Sequence, residues 1–161
     1  MSGEELIESA RKFEKNLLNF FWRQGVSVSE SEDLVQETYL RLWKYRDEYE
    51  PTAKLSTFLF ILARQVRLDS LRRITRREAR EKAWGEDLSS PGPAAVCASD
   101  DARWALSRLS PALRETVELA ILQDLPYAEI SRILDIPVGT VKSRVSNALK
   151  KMKEVFDERG P

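Results

Sequence analysis

Apolar residues recur every three or four positions over most of the chain, and this spacing predicts helices and no strands. One helix is predicted over residues 4–24 and ends at Gly25. A second is predicted from about Ser29 to Arg46, because Ser29 and Glu32 have capping-box spacing. The helical pattern resumes near Ser56. The later predicted helices are a short one near Asp101, one from Ser110-Pro111 to Leu122, one from Pro126 to Leu134 and one from Val138 to Phe156.

The segment between Gly85 and Ser99 loses the helical pattern and divides the chain. Ser, Gly and Pro dominate it, so it predicts a linker between two helical blocks. The expected fold is all-α, with two small helical domains joined by a flexible acidic linker. The predicted boundaries are residues 1–82 for the first domain, 83–101 for the linker and 102–161 for the second domain.

The second predicted helix has an apolar face and a polar face. Leu40 is an apolar side chain on the polar face, and residues 26–50 carry a net charge of −4. An acidic surface with an exposed apolar residue suits a protein partner, although an ordinary solvated helix face fits the same pattern and is commoner. The apolar face holds Leu34, Val35, Thr38, Tyr39, Leu42 and Trp43, and the polar face holds Asp33, Gln36, Glu37, Leu40, Arg41 and Lys44.

Acidic and basic residues balance, at 26 each, but they are segregated along the chain. Residues 64–80 carry seven Arg against two acids, for a net charge of +5. Residues 139–153 carry five basic residues and no acid, and the segment 81–101 between these patches is net −4. Two basic patches in a neutral chain indicate local contact with a polyanion.

The basic patch of residues 139–153 falls on the second helix of a predicted helix-turn-helix. Asp135-Ile136-Pro137 is the turn, and Val141, Val145, Ala148, Leu149 and Met152 form the predicted inner side of the second helix. Small residues near its start allow close approach to a DNA backbone, and Arg and Lys bond guanine edges. The alternative is a solvated basic face on a helical bundle. The candidate DNA-binding residues are Gly139, Thr140, Lys142, Ser143, Arg144, Ser146 and Asn147.

The Arg run of the first block begins after a loop that contains Tyr49. Arg side chains follow phosphates, and rings such as Tyr49 and Phe58 stack on unpaired bases. The alternatives are a solvated helix end for the Arg run and a core position for Phe58. The candidate nucleic-acid residues of this region are Tyr49, Lys54, Ser56, Phe58, Arg64, Arg67, Arg72, Arg73, Arg76 and Arg77.

Composition excludes most catalytic classes. The chain has no His and one Cys, Cys97, which rules out Ser–His and Cys–His nucleophile pairs, His-ligated metals and an internal disulfide. We therefore expect no catalytic residue, no metal site and no cofactor. The N-terminus is acidic and polar, unlike a secretory signal, and no stretch is apolar enough to span a bilayer. A cytoplasmic binding protein is expected.

Three motifs together resemble the bacterial sigma factors of RNA polymerase. They are DLVQETYLRLW (33–43), STFLFILARQVRLDSLRR (56–73) and PYAEISRILDIPVGTVKSRVSNALKKM (126–152). The small size is similar to that of the extracytoplasmic-function group. The resemblance implies that the chain binds core RNA polymerase and promoter DNA, and that an anti-sigma factor holds it.

The resemblance also assigns roles to the candidate residues. It implies that Asp33, Gln36 and Glu37, with Leu40 and Arg41 beside them, dock on the clamp helices of the largest polymerase subunit. The loop around Tyr49–Ser56 and the helix after it would recognise and melt the −10 element. The helix-turn-helix would recognise the −35 element through Lys142, Ser143, Arg144, Ser146 and Asn147.

Three positions depart from the family pattern. Phe58 stands where the family usually has Trp, Asp135 where the turn usually has Gly, and Asn147 where Arg is frequent. The last departure puts the usual −35 sequence in doubt. We expect a sigma factor that directs promoter-specific initiation without covalent chemistry. The alternatives are a stand-alone helix-turn-helix regulator, which leaves the first block unexplained, and a metal-dependent hydrolase, for which no ligand spacing is evident.

Overall fold

The computed structural model describes residues 2–50, 54–83 and 100–159, and all regular structure in these ranges is helical. This confirms the predicted all-α fold. Residues 84–99 of the predicted linker, Cys97 among them, lie outside the described residues, while its two ends belong to helices that reach Ala83 and begin at Asp100. The helices are α1 (Gly3–Ala10), α2 (Glu14–Trp22), α3 (Val28–Lys44), α4 (Leu55–Ala83), α5 (Asp100–Ser107), α6 (Pro111–Val117), α7 (Tyr127–Leu134) and α8 (Val138–Arg159).

The first block differs from its prediction by a break within the first helix and by the cap of the second. The helix predicted over residues 4–24 is two helices, α1 and α2, separated by the 3-10 turn Arg11–Phe13. The predicted cap at Ser29 is wrong, because Ser27 caps α3 and accepts a hydrogen bond from the Glu30 backbone N–H at 3.1 Å. Gly25 ends the α2 turn with a φ of +96°, where a Cβ would be strained.

The second block follows its predicted caps. Ser110 caps α6 with Pro111 at the first helical position, as expected. A π-helical turn over Glu118–Leu122 continues α6. Asp135 ends α7 in the left-handed region with a φ of 55°, where the short polar side chain of Asp is tolerated. The helix-turn-helix of α7 and α8 therefore forms where it was predicted.

Both blocks contribute to one hydrophobic core. Helix α4 packs against α3 on one side and against α7 on the other. Phe20, Phe60 and Val66 from the first block and Leu119 and Ile130 from the second are fully buried members of the same cluster. Two smaller clusters, one around Leu6, Leu42 and Leu59 and one around Leu106, Val117 and Ala148, complete the interior.

Two residues predicted to face inward are exposed instead. Leu149 is 47% exposed, because the buried stripe of α8 runs through Val141, Val145 and Ala148 and leaves Leu149 on the next face. Trp43 is 44% exposed. The Arg46 guanidinium lies 4.4 Å above the Trp43 ring, so the ring is shielded on one side. Within the described ranges, no helix combines the length and apolarity needed to cross a membrane.

Candidate functional site

The turn between α7 and α8 is fixed by hydrogen bonds that hold the second helix in place. The Ser131 hydroxyl donates to the Ile136 carbonyl at 2.5 Å, across the left-handed Asp135. The Pro137 carbonyl accepts from the backbone N–H groups of Thr140 and Val141 at 3.0 and 3.1 Å. These bonds satisfy polar groups of the turn and set the direction of α8.

The predicted DNA-contacting residues share the outer side of α8. Lys142, Ser143, Ser146 and Asn147 are exposed, and Thr140 and Arg144 are half-buried. Neither Lys142 nor Arg144 has a hydrogen bond or an ion pair within the part of the chain that the structure describes, so both are available to an outside partner. Val141 and Val145, which alternate with them, are buried.

Gly139 lies at the start of this face, and the fold does not need a glycine there. A Cβ at Gly139 would have no atom within 4 Å, and Gly139 has no positive φ. The Ser143 hydroxyl donates to the Gly139 carbonyl at 3.1 Å. The open space in front of Gly139 leaves room for a phosphate backbone to approach the helix N-terminus.

Two aromatic residues predicted for the −10 region, Tyr49 and Phe58, lie against each other. The rings of Tyr49 and Phe58 lie 5.5 Å apart at 37°, and both are half-buried against the small core around Leu42 and Leu59. Phe58 is thus partly a packing residue. Lys54 is exposed and Ser56 half-buried, while residues 51–53 of the loop lie outside the described residues.

The first two arginines of the −10 patch already have partners. Arg64 donates through Nε to Glu115 Oε1 at 2.5 Å, in the second block. Arg67 donates through Nε to Gln24 Oε1 at 3.3 Å, and its buried Nη1 has no partner in the described residues. Burial lowers the pKa of the Arg67 guanidinium, which still stays charged.

The later arginines of α4 are open to solvent. Every described side chain from Leu71 to Arg80 is exposed. Arg72 donates to Asp69 at 3.1 Å, within α4. The second half of α4 therefore presents Arg73 and Arg76 to any partner, and its two apolar residues Leu71 and Ile74 are 40% and 39% exposed.

Most of the predicted polar face of α3 is exposed, while Glu37 and Arg41 are half-buried. Asp33 and Gln36 are exposed, and Leu40 is 64% exposed, which is the largest value among the exposed large apolar side chains of the described residues. A shallow depression of about 350 Å³ lies beside Leu40 and is lined by Glu37, Leu40, Arg41, Lys44, Tyr45 and Asp69. A surface of this kind has room for a side chain of a partner.

Arg41 joins this face to α4. Its Nη2 lies 2.8 Å from Asp69 Oδ2 and its Nε lies 3.5 Å from Glu37 Oε1. The hydrogen bond from Arg41, with the nearby positive charges, lowers the pKa of Asp69. The guanidinium of Arg41 thus orients the α3 surface, a role that the helical pattern of α3 alone did not indicate.

A second groove, of about 310 Å³, separates the acidic part of α3 from the basic part of α4. Its walls bring Asp33 of the predicted polymerase face together with Arg73 of the predicted −10 patch. These two surfaces, predicted separately, are therefore adjacent. The lining residues are Glu30, Asp33, Leu34, Ser70, Arg73, Ile74 and Arg77.

Polar contacts between the two blocks were missed by sequence reasoning. Arg23 Nη1 lies 3.0 Å from Glu118 Oε1, and the Asn16 and Gln123 side chains are linked at 3.0 Å. The Thr57 hydroxyl donates to Glu129 on α7. The partners are separated by 72 to 107 residues along the chain, so no local pattern pairs them. In the described ranges, no group of His, Cys, Asp and Glu is arranged to hold a metal ion.

Two family models match this chain. The sigma-70 region 2 model matches residues 8–77, and the sigma-70 region 4 model matches residues 101–152. The first match includes α3 and most of α4, and the second includes the helix-turn-helix. The first two sequence motifs, residues 33–43 and 56–73, lie within the region 2 match, and the third, residues 126–152, lies within the region 4 match.

Characterised proteins are similar over most of the length. The ECF RNA polymerase sigma factor RpoE of Cereibacter sphaeroides is 30% identical over 152 residues, which are 91% of this chain and 83% of that protein. EcfG of Rhodopseudomonas palustris is 32% identical over 132 residues, which are 81% and 73%. The solved sigma factor RpoE of Bartonella quintana, bound to the anti-sigma factor NepR, superposes with a TM-score of 0.80 at 26% identity and covers 93% of this chain and 95% of that one.

Proposed function

This chain belongs to the extracytoplasmic-function group of RNA polymerase sigma factors, and from that membership we propose how its surfaces divide promoter recognition. The protein directs core RNA polymerase to promoters. The observation that supports the proposal best is the outer side of α8. Its basic residues are unpaired in the described structure, and they follow a tight turn in a family-matched helix-turn-helix.

We assign residues 1–82 to the block that binds polymerase and the −10 element, residues 83–101 to the connection, and residues 102–161 to the block that binds the −35 element. The region 2 and region 4 matches support this division. The two basic patches of +5 then lie one in each DNA-binding block.

In the −35 block, Arg144 and Lys142 are the proposed base readers. A second helix in the major groove contacts base edges through its first turns, and Arg and Lys bond guanine O6 and N7. Ser143, Ser146 and Asn147 are exposed on the same side and make the looser base contacts. Thr140 and Gly139 face the phosphate backbone at the helix start.

In the −10 block, the proposed DNA residues fall into two groups. Tyr49 and Phe58 provide rings near the loop that would capture an unpaired base, together with Lys54 and Ser56. Binding of unpaired bases offsets the stacking lost on melting, which is a few kcal/mol per step. Arg64, Arg67, Arg72, Arg73 and Arg76 are proposed to bind phosphates.

The polymerase contact is proposed on the exposed face of α3. Asp33 and Gln36 provide polar groups, and Leu40 inserts an apolar side chain into the partner. Arg41 is held by its ion pair with Asp69 and in turn positions Glu37 on this face. The acidic character of the region, −4 over residues 26–50, keeps DNA away from this face.

We further propose that the chain performs no covalent chemistry and works in the cytoplasm, where the polymerase is. Transcription catalysis belongs to the core enzyme. An anti-sigma factor is proposed as a third partner, because the sigma factor RpoE of Bartonella quintana was solved in complex with one.

The test is transcription in vitro with core polymerase over a library of genomic fragments. We expect specific start sites that require this chain, and permanganate-reactive thymines near −10 when core and chain are both present. Reactivity with the chain alone, or initiation that is independent of the chain, would contradict the proposal. The Arg144→Ala variant should lower initiation at the same sites.

A further inference from the structure

Asp69 on α4 forms ion pairs with two arginines that the proposed function assigns to different partners. Its Oδ2 lies 2.8 Å from Nη2 of Arg41, which belongs to the polymerase face of α3. Its Oδ1 accepts a hydrogen bond at 3.1 Å from Nη1 of Arg72, which belongs to the −10 patch. One carboxylate therefore joins the two surfaces, although Asp69 was not among the predicted site residues.

The two ion pairs differ in how firmly they are held. The side chain of Arg41 is 20% exposed and that of Arg72 is 67% exposed. A solvent-exposed ion pair contributes little and is readily exchanged for another partner, whereas a shielded pair at a shorter distance keeps its side chains in place. The contact of Asp69 with Arg41 is thus the firmer one, and the contact with Arg72 is the one that a phosphate can replace.

On the α3 side, Asp69 fixes the direction of the Arg41 guanidinium. Arg41 Nε also lies 3.5 Å from Glu37 Oε1, so the guanidinium bridges the two carboxylates. Asp69, Arg41 and Glu37 line the same depression beside Leu40. Without the charge of Asp69, Arg41 would keep, among its ion pairs in the described residues, the longer one to Glu37 on its own helix. The polymerase face would then lose its link to α4.

On the −10 side, Asp69 offsets positive charge. Residues 64–80 hold seven Arg against two acids, Asp69 and Glu78. For Arg72 to bind a phosphate through Nη1, that nitrogen must leave Asp69, so the ion pair opposes DNA binding at this position. Once Arg72 has moved to a phosphate, both oxygens of Asp69 are available to Arg41.

We propose that Asp69 is a positioning residue that supports docking on core polymerase through Arg41 and restrains DNA binding by the free chain through Arg72. The inference rests on the proposed function for the roles of the two arginines. The two effects have opposite signs, so a neutral residue at this position should weaken binding to core polymerase and strengthen binding to DNA. A purely structural role would change both affinities in the same direction or change neither.

The test uses Asp69→Asn in the full chain, with Glu78→Gln as the matched control. Asn keeps the shape of Asp, and Glu78 is an exposed acid of the same helix within the same run of arginines. In competition for core polymerase, we expect D69N to bind about threefold more weakly than wild type and E78Q to bind like wild type. Circular dichroism should show wild-type helix content for both variants.

The second measurement is binding of the free chain to an oligothymidylate of about 20 nucleotides, because the phosphates of a single strand are bound without regard to sequence. Both variants lose one negative charge, so both should bind more tightly than wild type. D69N also releases Arg72 for a phosphate, and it should steepen the slope of log affinity against log salt by up to ~0.7. We expect E78Q to keep the wild-type slope.

Two double-mutant cycles separate the two effects of Asp69. In an Arg41→Gln background, D69N should no longer weaken binding to core polymerase, because the residue through which Asp69 acts is absent. In an Arg72→Gln background, D69N should no longer steepen the salt slope, yet it should still weaken binding to core polymerase.

Three results would overturn the proposal. They are a D69N chain that binds core polymerase like wild type, a D69N chain with the wild-type salt slope, or a loss of core affinity that persists in full in the Arg41→Gln background. Failure of the proposed function gives a different result. In that case wild type itself would neither bind core polymerase nor support promoter-specific transcription, whatever D69N does to the salt slope.

Discussion

The ion pair between Arg23 and Glu118 gives the sharpest test of how the two blocks are held together. Arg23 Nη1 lies 3.0 Å from Glu118 Oε1, and the side chains are 15% and 2% exposed. Gln123 Nε2 donates to the same oxygen at 3.0 Å, while Glu118 Oε2 has no partner among the described residues. Arg23→Met keeps the length of the side chain and leaves the carboxylate buried without its charge partner.

The expected cost of Arg23→Met follows from this burial. Removing one partner of a buried ion pair costs about 3–5 kcal/mol, because the remaining charge stays desolvated. Arg23 is partly exposed, so we expect the lower end, about 3 kcal/mol. Replacing both partners, in R23M/E118L, removes the stranded charge and should cost far less than R23M alone. Asn16 and Gln123 remain unchanged in both variants.

The cost should also depend on pH. Burial raises the pKa of Glu118, and the Arg23 charge and the Gln123 hydrogen bond oppose that rise. A carboxyl whose folded-state pKa exceeds its unfolded value contributes stability that is fully present below the unfolded pKa and is lost as pH rises through the folded pKa. Removing Arg23 raises that pKa further. The deficit of R23M relative to wild type should therefore shrink as pH falls from neutral toward the unfolded pKa of Glu118.

Urea denaturation followed by circular dichroism measures the deficit, and scattering of the same samples reports whether the blocks separate instead. Arg23 and Glu118 lie in different blocks, so either unfolding or opening relieves the stranded charge. A loss under about 1 kcal/mol with an unchanged radius of gyration would refute the reasoning. So would an R23M deficit that grows on acidification.

Three further predictions test the proposed contacts. Asp33→Lys with Glu37→Lys should weaken binding to core polymerase in a competition assay, and unchanged affinity would contradict the docking assignment; stability should fall by about 1 kcal/mol or less, because Glu37 also loses its 3.5 Å contact with Arg41. Arg144→Ala should cost about 1–3 kcal/mol of promoter binding and relax preference at one −35 position, whereas Lys150→Ala should weaken all sequences alike; the reverse pattern would mean a different register of α8. Gly139→Ala should raise the unfolding free energy by about 0.5–1 kcal/mol, because a Cβ there meets no atom, yet lower promoter affinity; unchanged affinity would exclude a close backbone approach.

Capping and turn residues predicted the helix ends correctly where the sequence offers a single candidate. Ser110-Pro111 marked the start of α6, and Asp135 takes the left-handed conformation that its turn required. At the start of α3 two signals overlap, since Ser27 and Ser29 are each followed by Glu three residues later. The structure uses the earlier one, and no rule of capping distinguishes them.

The buried face of each helix was predicted from the sequence to within one neighbouring residue. The polar face of α3 was predicted with Leu40 on it, and Leu40 is exposed. Leu149 was assigned to the inner side because it is apolar and adjacent to the stripe. Hydrophobicity alone does not separate Ala148 from Leu149, and the smaller residue is the buried one because α6 packs closely against α8.

The packing of the two blocks on each other could not be predicted from the sequence. Its contacts join residues far apart in the chain, and the partners of Arg64 and Arg23 are ordinary glutamates on other helices. Arg64 counts toward the predicted basic DNA patch of residues 64–80, yet in the structure it donates a hydrogen bond across the interface between the blocks. A count of net charge over residues 64–80 therefore overstates the positive charge that this structure leaves free for DNA, since Arg64 is paired with Glu115.

The pairing of Arg64 with Glu115 has a measurable consequence for the salt dependence of DNA binding. Each phosphate neutralised on a single strand contributes ~0.7 to the slope of log affinity against log salt. In this structure Arg64 is paired with Glu115, so Arg64→Gln should leave the salt slope of the free chain on a −10 oligonucleotide unchanged. With core polymerase present, where the proposed function has Arg64 on a −10 phosphate, we expect the same substitution to lower the slope by ~0.7. Equal drops in both conditions would mean that Arg64 binds phosphate in the free chain and that its pairing with Glu115 does not compete with DNA.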